Sequence, residues 1–318
     1  MGSPVFGLPT LRAIERAGHA VTLVVTQPDR PAGRARRLRP PPVAAYARSR
    51  QLPLHQPERL RPTSALAPIQ AADPEVIVVA AFGLLLPAAL LALPRHGCLN
   101  VHPSLLPRWR GASPIQTAIL SGDVETGVTI IKLVEQMDAG PILAQTATPI
   151  GPDEDAIALE GRLAELGAAL LVDCLEPWVA GAIEPRPQDE QLATYCRRLD
   201  RGDALLDWSQ PAEALGRVVR AFRGRTDAFT FWEGRPLKVL AARPLDVEPA
   251  PGLPGLVTTD PPSGRGRRPI VQTGRGALAL VEVALAGRPP TSGEALLNGY
   301  PSLVGATLGA DGVLNRAE

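Results

Sequence analysis

Three cysteines in 318 residues, Cys98, Cys174 and Cys196, are an odd number without metal-ligand spacing. They exclude a disulfide scaffold, and a reduced cytoplasmic protein follows as the default. Histidine is nearly as scarce, with four residues, and no metal cluster is evident. No stretch reaches the roughly 18–20 consecutive apolar residues that span a bilayer. Residues 83–93 (GLLLPAALLAL) are apolar but short and broken by proline, which reads as core. The N-terminus, MGSPVFGLPTLRAIERAGH, lacks the basic-then-apolar layout of a signal peptide. Net charge is only +1, so bulk charge does not mark a nucleic-acid binder. Lysine occurs only at Lys132 and Lys238; the remaining positive charge is arginine. There is no internal repeat and no long low-complexity tract.

What is present describes an ordinary globular chain, 45% hydrophobic and 20% charged, long enough for two domains. LPTLRAIERAG reads as a helix with Gly18 as its C-cap, and HAVTLVVTQPD as a strand ending in a turn at Pro28-Asp29. PVAAYARSRQL reads as helix, and EVIVVAAF as a strand buried on both faces. GCLNVHPS is a strand entering a loop. TGVTIIKLVEQMDAGPILAQTATPI is a strand, a turn at Asp138-Ala139-Gly140 and a second strand; residues 155–180 are helical. Strands alternating with helices argue for an open α/β sheet. After Gly181 the chain turns polar and proline-containing, as a linker over a surface would be. One amphipathic helix, PAEALGRVVRAF, is followed by short alternating runs separated by turns, the pattern of a small β-barrel or sandwich. The expected domains are residues 1–183 and 204–318, joined by a linker over 184–203. Such an α/β domain normally opens with a strand that feeds its first helix. MGSPVFG already reads as the turn after that strand, so the expectation is a first strand missing from this chain and Met1 as an internal residue.

The densest stretch is LNVHPSLLPRWRGASP, residues 99–114. If CLNVH is a strand, Asn100 and His102 project from the same face near its C-terminal end, where open α/β sheets place ligands. An amide suits a developing oxyanion and an imidazole suits proton transfer. Asp138 could hold the imidazole and favour its charged form. An N-x-H pair also arises by chance, Asp138 is equally a turn former, and SLLP can be a loop packed into the core. Cys98 reads as a small buried side chain in preference to a catalytic thiol. RPAGRARRLR holds five arginines and no acid.

The string NVHPSLLPRWRGASPIQTAILSGDVETGVTIIKLVEQMDAGPILAQ resembles the core of the folate-dependent formyltransferases. TQPDRPAGR (Thr26 to Arg34), AFGLLLP (Ala81 to Pro87) and LDWSQPA…RAF (Leu206 to Phe222) extend the likeness over both halves of the chain, in order. The resemblance implies an open Rossmann-like α/β domain followed by an OB-like β-barrel. It implies transfer of the formyl group of 10-formyltetrahydrofolate to the α-amine of methionyl-initiator tRNA, without metal, by a cytoplasmic monomer. It assigns catalysis to Asn100, His102 and Asp138. Folate contacts fall on Ser104, Leu105, Leu106 and Pro107, and on the wall formed by Phe82, Gly83, Leu85, Leu86 and Pro87. The arginine loop, Arg30, Arg34, Arg36, Arg37 and Arg39, corresponds to the family's tRNA-acceptor contact, and the C-terminal domain to a support for tRNA binding. RAFRGRTDAFTFWEG departs from the family pattern after RAF, outside the chemistry. Rival readings are a sugar-nucleotide formyltransferase, a 10-formyltetrahydrofolate hydrolase and an inactive binding module.

Overall fold

The computed structural model describes residues 1–32, 37–61, 63–246, 253–259 and 267–309. The chain divides into two compact units, one of residues 1–115, 124–150 and 158–198, the other of residues 116–123, 151–157 and 199–318.

The first unit opens with helix α1 (Gly7–Arg16), ended by Gly18 in the left-handed region. Strand β1 (Val24–Val25) leads to a hairpin of β2 (Arg30–Ala32) and β3 (Arg37–Arg39), helix α2 (Pro42–Ser49) and strand β4 (Leu54–His55), which pairs parallel to β1. Helix α3 (Thr63–Ala71), strand β5 (Ile77–Val79), helix α4 (Ala88–Leu91) and strand β6 (Cys98–His102) follow. Short β7 (Arg110–Gly111) precedes helix α5 (Pro114–Ser121), most of which belongs to the second unit. Strands β8 (Glu125–Lys132) and β9 (Ile142–Pro149) form an antiparallel hairpin, helix α6 (Ala156–Val179) comes next, and β10 (Tyr195–Cys196) pairs parallel to β7.

The main sheet has the order β5-β6-β8-β9, with β5 and β6 parallel and the other pairs antiparallel. Because β5 and β6 run in the same direction, the loops after both, residues 80–87 and 103–109, leave from one end of the sheet. Burial of apolar residues fixes this arrangement: Leu99 and Val101 of β6 and Val128, Ile130 and Ile131 of β8 are all at most 1% exposed. Helix α6 lies on these strands at Gly167, where a Cβ would stand 2.6 Å from Val101 Cγ1. A glycine there permits the close helix-to-sheet approach.

Met1 and Gly2 lie between β1 and β5. The Met1 amine donates to the Val78 carbonyl at 2.5 Å, and Ala80 N–H donates back to the Met1 carbonyl at 2.9 Å. That reciprocal pattern is parallel pairing. On the other side Gly2 N–H donates to the Val25 carbonyl at 3.1 Å. Alongside, a cavity of about 600 Å³ runs between residues 19–25 and 73–78. The strands expected from HAVTLVVTQPD and EVIVVAAF are accordingly short, Val24–Val25 and Ile77–Val79, with Thr26 and Ala80 continuing the pairing by one residue each.

In the second unit, helix α7 (Ala212–Phe222) packs on an antiparallel sheet of β11 (Ala228–Trp232), β12 (Arg235–Leu245), β13 (Val257–Thr259), β14 (Pro269–Gln272), β15 (Ala277–Leu285) and β16 (Thr291–Ser292). A final helix, α8 (Gly293–Gly299), follows, with Ser292 accepting from Ala295 N–H as its N-cap. The strand path is β11-β12-β15-β14-β13, with β16 on β15. Every run read as a strand is one. The sheet expected to be barrel-like has, among the described residues, six strands whose two edges are bridged by residues 305–309: Gly309 N–H donates to the Phe231 carbonyl of β11 at 2.8 Å, and Val257 N–H of β13 donates to the Ala306 carbonyl at 2.9 Å. Register shifts near Ala241 bend β12. Trp208, Leu215, Val219, Trp232, Leu237 and Leu280 form its core.

Candidate active site

Strand β6 decides the position of two side chains at once, because alternate residues share a face. Asn100 is half-buried and His102 is 3% exposed. Asp138 lies in the loop between β8 and β9, at φ 50°, in the left-handed region. Its carboxylate turns toward β6: Oδ1 accepts from Asn100 Nδ2 at 3.5 Å and lies 3.7 Å from His102 Nδ1, while Oδ2 accepts from Gly111 N–H at 2.9 Å. His102 Nε2 is 3.0 Å from the Trp109 carbonyl oxygen. One ring nitrogen is thus at hydrogen-bond distance from a carbonyl oxygen, and the other faces a carboxylate oxygen at 3.7 Å. The three residues singled out in the sequence meet at one point, with an amide, an imidazole and a carboxylate in mutual reach.

The loop after β6 is built to hold its shape. Ser104 Oγ donates to the Arg108 carbonyl at 2.6 Å. Thr129 of β8 pins its first half, donating to the Ser104 carbonyl at 2.7 Å and accepting Leu106 N–H at 3.1 Å. Gln145 of β9 donates to the Leu106 carbonyl and to Thr129 Oγ1 at 2.9 and 2.8 Å. The Leu106–Pro107 peptide is cis. Leu106 packs on Ile131 and Ile142, and Leu105 lies over Gly127.

The loop after β5 contains Phe82, Gly83, Leu85, Leu86 and Pro87. Phe82 puts its ring into the core with Val25, Leu60 and Val79, leaving its carbonyl to accept from Gln27 Nε2 at 3.0 Å. Leu86 packs against the same cluster, while Leu85 is 68% exposed. Gly83, at φ 78°, is exposed beside Gln27, and Pro87 starts α4. Cys98 is buried, and desolvation pushes its thiol up to about 12, which makes it an inert core residue.

Of the arginine loop, Arg30, Arg37 and Arg39 sit exposed on the β2–β3 hairpin, with Arg30 directly opposite Arg39. Like charges so placed are destabilising, and an anion would relieve them. Arg34 and Arg36 lie outside the described residues. The hairpin base is anchored at Asp29, whose carboxyl Arg48 first, then Gln56, hold below the usual range.

Residues 2–175 match the model of the formyl transferase family, and residues 198–301 that of the formyl transferase C-terminal domain. The chain belongs to the formyltransferase family. The methionyl-tRNA formyltransferase of Chloroflexus aurantiacus is 46% identical over 94% of this chain and 95% of its own length. That of Thiobacillus denitrificans is 44% identical over 97% and 98%. Among solved structures, an N-formyltransferase of Helicobacter canadensis, crystallised with folinic acid and dTDP-3-aminofucose, aligns with a TM-score of 0.63 over 88% of this chain and 97% of its own. HypX of Aquifex aeolicus, in complex with tetrahydrofolic acid, aligns with 0.60 over 81% and 44%. These two share only 16% and 19% identity and bear on the fold alone.

This formyltransferase also has site residues that the sequence did not single out. Gly111, at φ 120°, offers its N–H to Asp138; a Cβ there would collide with the Cys196 carbonyl. Trp109 contributes only a carbonyl to His102, so its side-chain identity held no clue. Arg110 is fully buried: it makes a bidentate pair with Glu190 at 2.9 and 2.8 Å and donates Nε–H to Gln188 Oε1 at 2.9 Å. Gln188 in turn donates to the carbonyls of Asp138 and Gly140, both at 2.7 Å. These partners come from the polar segment read as a linker, whose composition says nothing about where it lies. Among the described residues no group of three or more His, Cys, Asp or Glu could hold a metal, and no helix is long and apolar enough to cross a membrane.

Proposed function

We propose that this chain transfers the formyl group of 10-formyltetrahydrofolate to the α-amine of methionyl-initiator tRNA, with Asn100, His102 and Asp138 as its catalytic residues. The observation that supports the assignment best is the convergence of these side chains, within 3.5 to 3.7 Å of one carboxylate oxygen, at the end of β6. The unprotonated amine attacks the formyl carbon, the carbonyl electron pair moves to oxygen, and a tetrahedral oxyanion forms. Collapse breaks the bond from carbon to folate N10, and the proton lost by the attacking nitrogen ends on N10. Asn100 donates to the oxyanion through an amide that needs no reorganisation. His102, held between Trp109 and Asp138, is the proton-transfer group.

Ser104, Leu105, Leu106 and Pro107 form one side of the folate site, and residues 82–87 the other, Phe82 through its backbone and Leu85 through its exposed side chain. Arg30, Arg34, Arg36, Arg37 and Arg39 clamp phosphates of the tRNA acceptor end, assisted by the C-terminal domain over residues 204–318. The enzyme acts as a monomer in the cytoplasm.

The test is release of tetrahydrofolate from 10-formyltetrahydrofolate, with and without methionyl-initiator tRNA. Release that requires the charged tRNA supports the reading. Release that ignores it points to a hydrolase, and release driven by an amino-sugar nucleotide to a sugar formyltransferase.

A further inference from the structure

We propose that Gln188 is a positioning residue for formyl transfer, a single amide that locks the Asp138 loop to the strand bearing Gly111. The proposal rests on the reading of Asp138 as catalytic. Asp138 occupies the left-handed region at φ 50°, a conformation disfavoured for an L-residue that must be held by its surroundings. Its carboxylate is held by Gly111 N–H at 2.9 Å. Its own backbone carbonyl, and that of Gly140 two residues on, both accept from Gln188 Nε2 at 2.7 Å. The loop is thus gripped at backbone and side chain together.

The other end of the Gln188 amide closes a ring. Oε1 accepts Nε–H from Arg110 at 2.9 Å, and Arg110 is the covalent neighbour of Gly111. The circuit runs from the Asp138 carboxylate to Gly111, along the chain to Arg110, across to Gln188 and back to the Asp138 carbonyl. Arg110 is itself immobilised, fully buried with both terminal nitrogens on Glu190 and one also 3.3 Å from Tyr195 Oη. The partners settle the orientation of the Gln188 amide, since two carbonyls need the nitrogen and an arginine needs the oxygen. Both donor hydrogens and the oxygen are used. Opening the ring at Gln188 leaves the carboxylate its contacts with Gly111 and Asn100 but frees the backbone that carries it. The distances from Oδ1 to Asn100 and His102 are then no longer set.

A displacement of about 1 Å at a reacting group costs on the order of 10²-fold in rate. Gln188→Met, which keeps length and loses every hydrogen bond, is expected to lower kcat about 10- to 100-fold while KM for both substrates stays within about threefold. Gln188→Glu keeps the acceptor for Arg110 and loses both donors; the same fall in kcat is expected from it, which guards against a misfolded first variant. Combined with Asp138→Asn, Gln188→Met is expected to add no further loss, because both changes act through one group. A fall in melting temperature with kcat unchanged in the folded fraction would overturn the proposal, as would additive losses in the double variant. If Asp138→Asn alone retains full kcat, the catalytic reading of Asp138 fails and this inference fails with it. An inactive Asp138→Asn beside a fully active Gln188→Met defeats this inference only.

Discussion

Where the protein begins at Met1, its amine supplies a prediction whose size follows from its surroundings. Met1 is half-buried as a residue, but its amine is enclosed against Val78, and desolvation lowers it from 8.0 to about 6. Between those two values the unfolded chain binds a proton that the folded chain does not, so stability rises with pH across the window and is lowest at and below pH 6. Two units at about 1.4 kcal/mol each make the penalty about 3 kcal/mol below pH 6, falling to nothing above pH 8. Acetylating the amine keeps an N–H for the Val78 carbonyl and removes the charge, and the adjoining cavity of about 600 Å³ has room for the acetyl group. Thermal melts of the free and acetylated proteins, compared at each pH from 5.5 to 8.5, cancel every other titrating group. The acetylated form is expected to melt several degrees higher at pH 5.5, since about 1 kcal/mol moves Tm by roughly 2–4 °C at this size. The two forms converge by pH 8.5. A difference that is constant with pH, or that grows as pH rises, would refute the reasoning.

Other consequences are simpler to read. Asn100→Ala removes the amide donor and is expected to lower kcat by about 10²- to 10³-fold with the fold intact by circular dichroism; a rate within threefold of the parent would remove Asn100 from the mechanism. Arg37→Ser with Arg39→Ser is expected to weaken tRNA binding and to reduce the slope of log affinity against log salt by about one per lost phosphate contact. An unchanged slope would place the tRNA elsewhere. Cys98, with its thiol up at about 12, should resist alkylation at pH 8 until the protein unfolds, which mass mapping of the labelled peptide checks. Labelling of Cys98 in the folded state would contradict its placement.

Much of the fold was legible because local pattern and burial agree. The runs AFTFW, RPLKVLAARPL and ALALVEVAL alternate or repeat as strands do, and they are β11, β12 and β15. Legibility stopped where pairing depends on a distant partner. HAVTLVVTQPD and EVIVVAAF have strand composition over their whole length, yet only Val24–Thr26 and Ile77–Ala80 within them pair with Met1, Gly2, β4 or β6. Which segment bridges the edges of the second sheet was equally out of reach, since residues 305–309 do so by meeting β11 at Phe231 and β13 at Val257, two strands distant from each other in the chain.

At the site, the chain itself determined which groups share a face: a strand period of two puts Asn100 beside His102 whatever surrounds them. It also determined the density of positive charge in the arginine loop and the scarcity of metal ligands. Only the tertiary structure decided that the Asp138 carboxylate turns toward β6 and not to solvent, because that depends on a left-handed backbone held by Gly111, Arg110 and Gln188. Those contacts span 27 to 78 positions in the chain. Hydrogen bonds of that range leave no local signature, since each partner alone is an ordinary glycine, arginine or glutamine, and their meaning exists only once the chain has brought them within 3 Å.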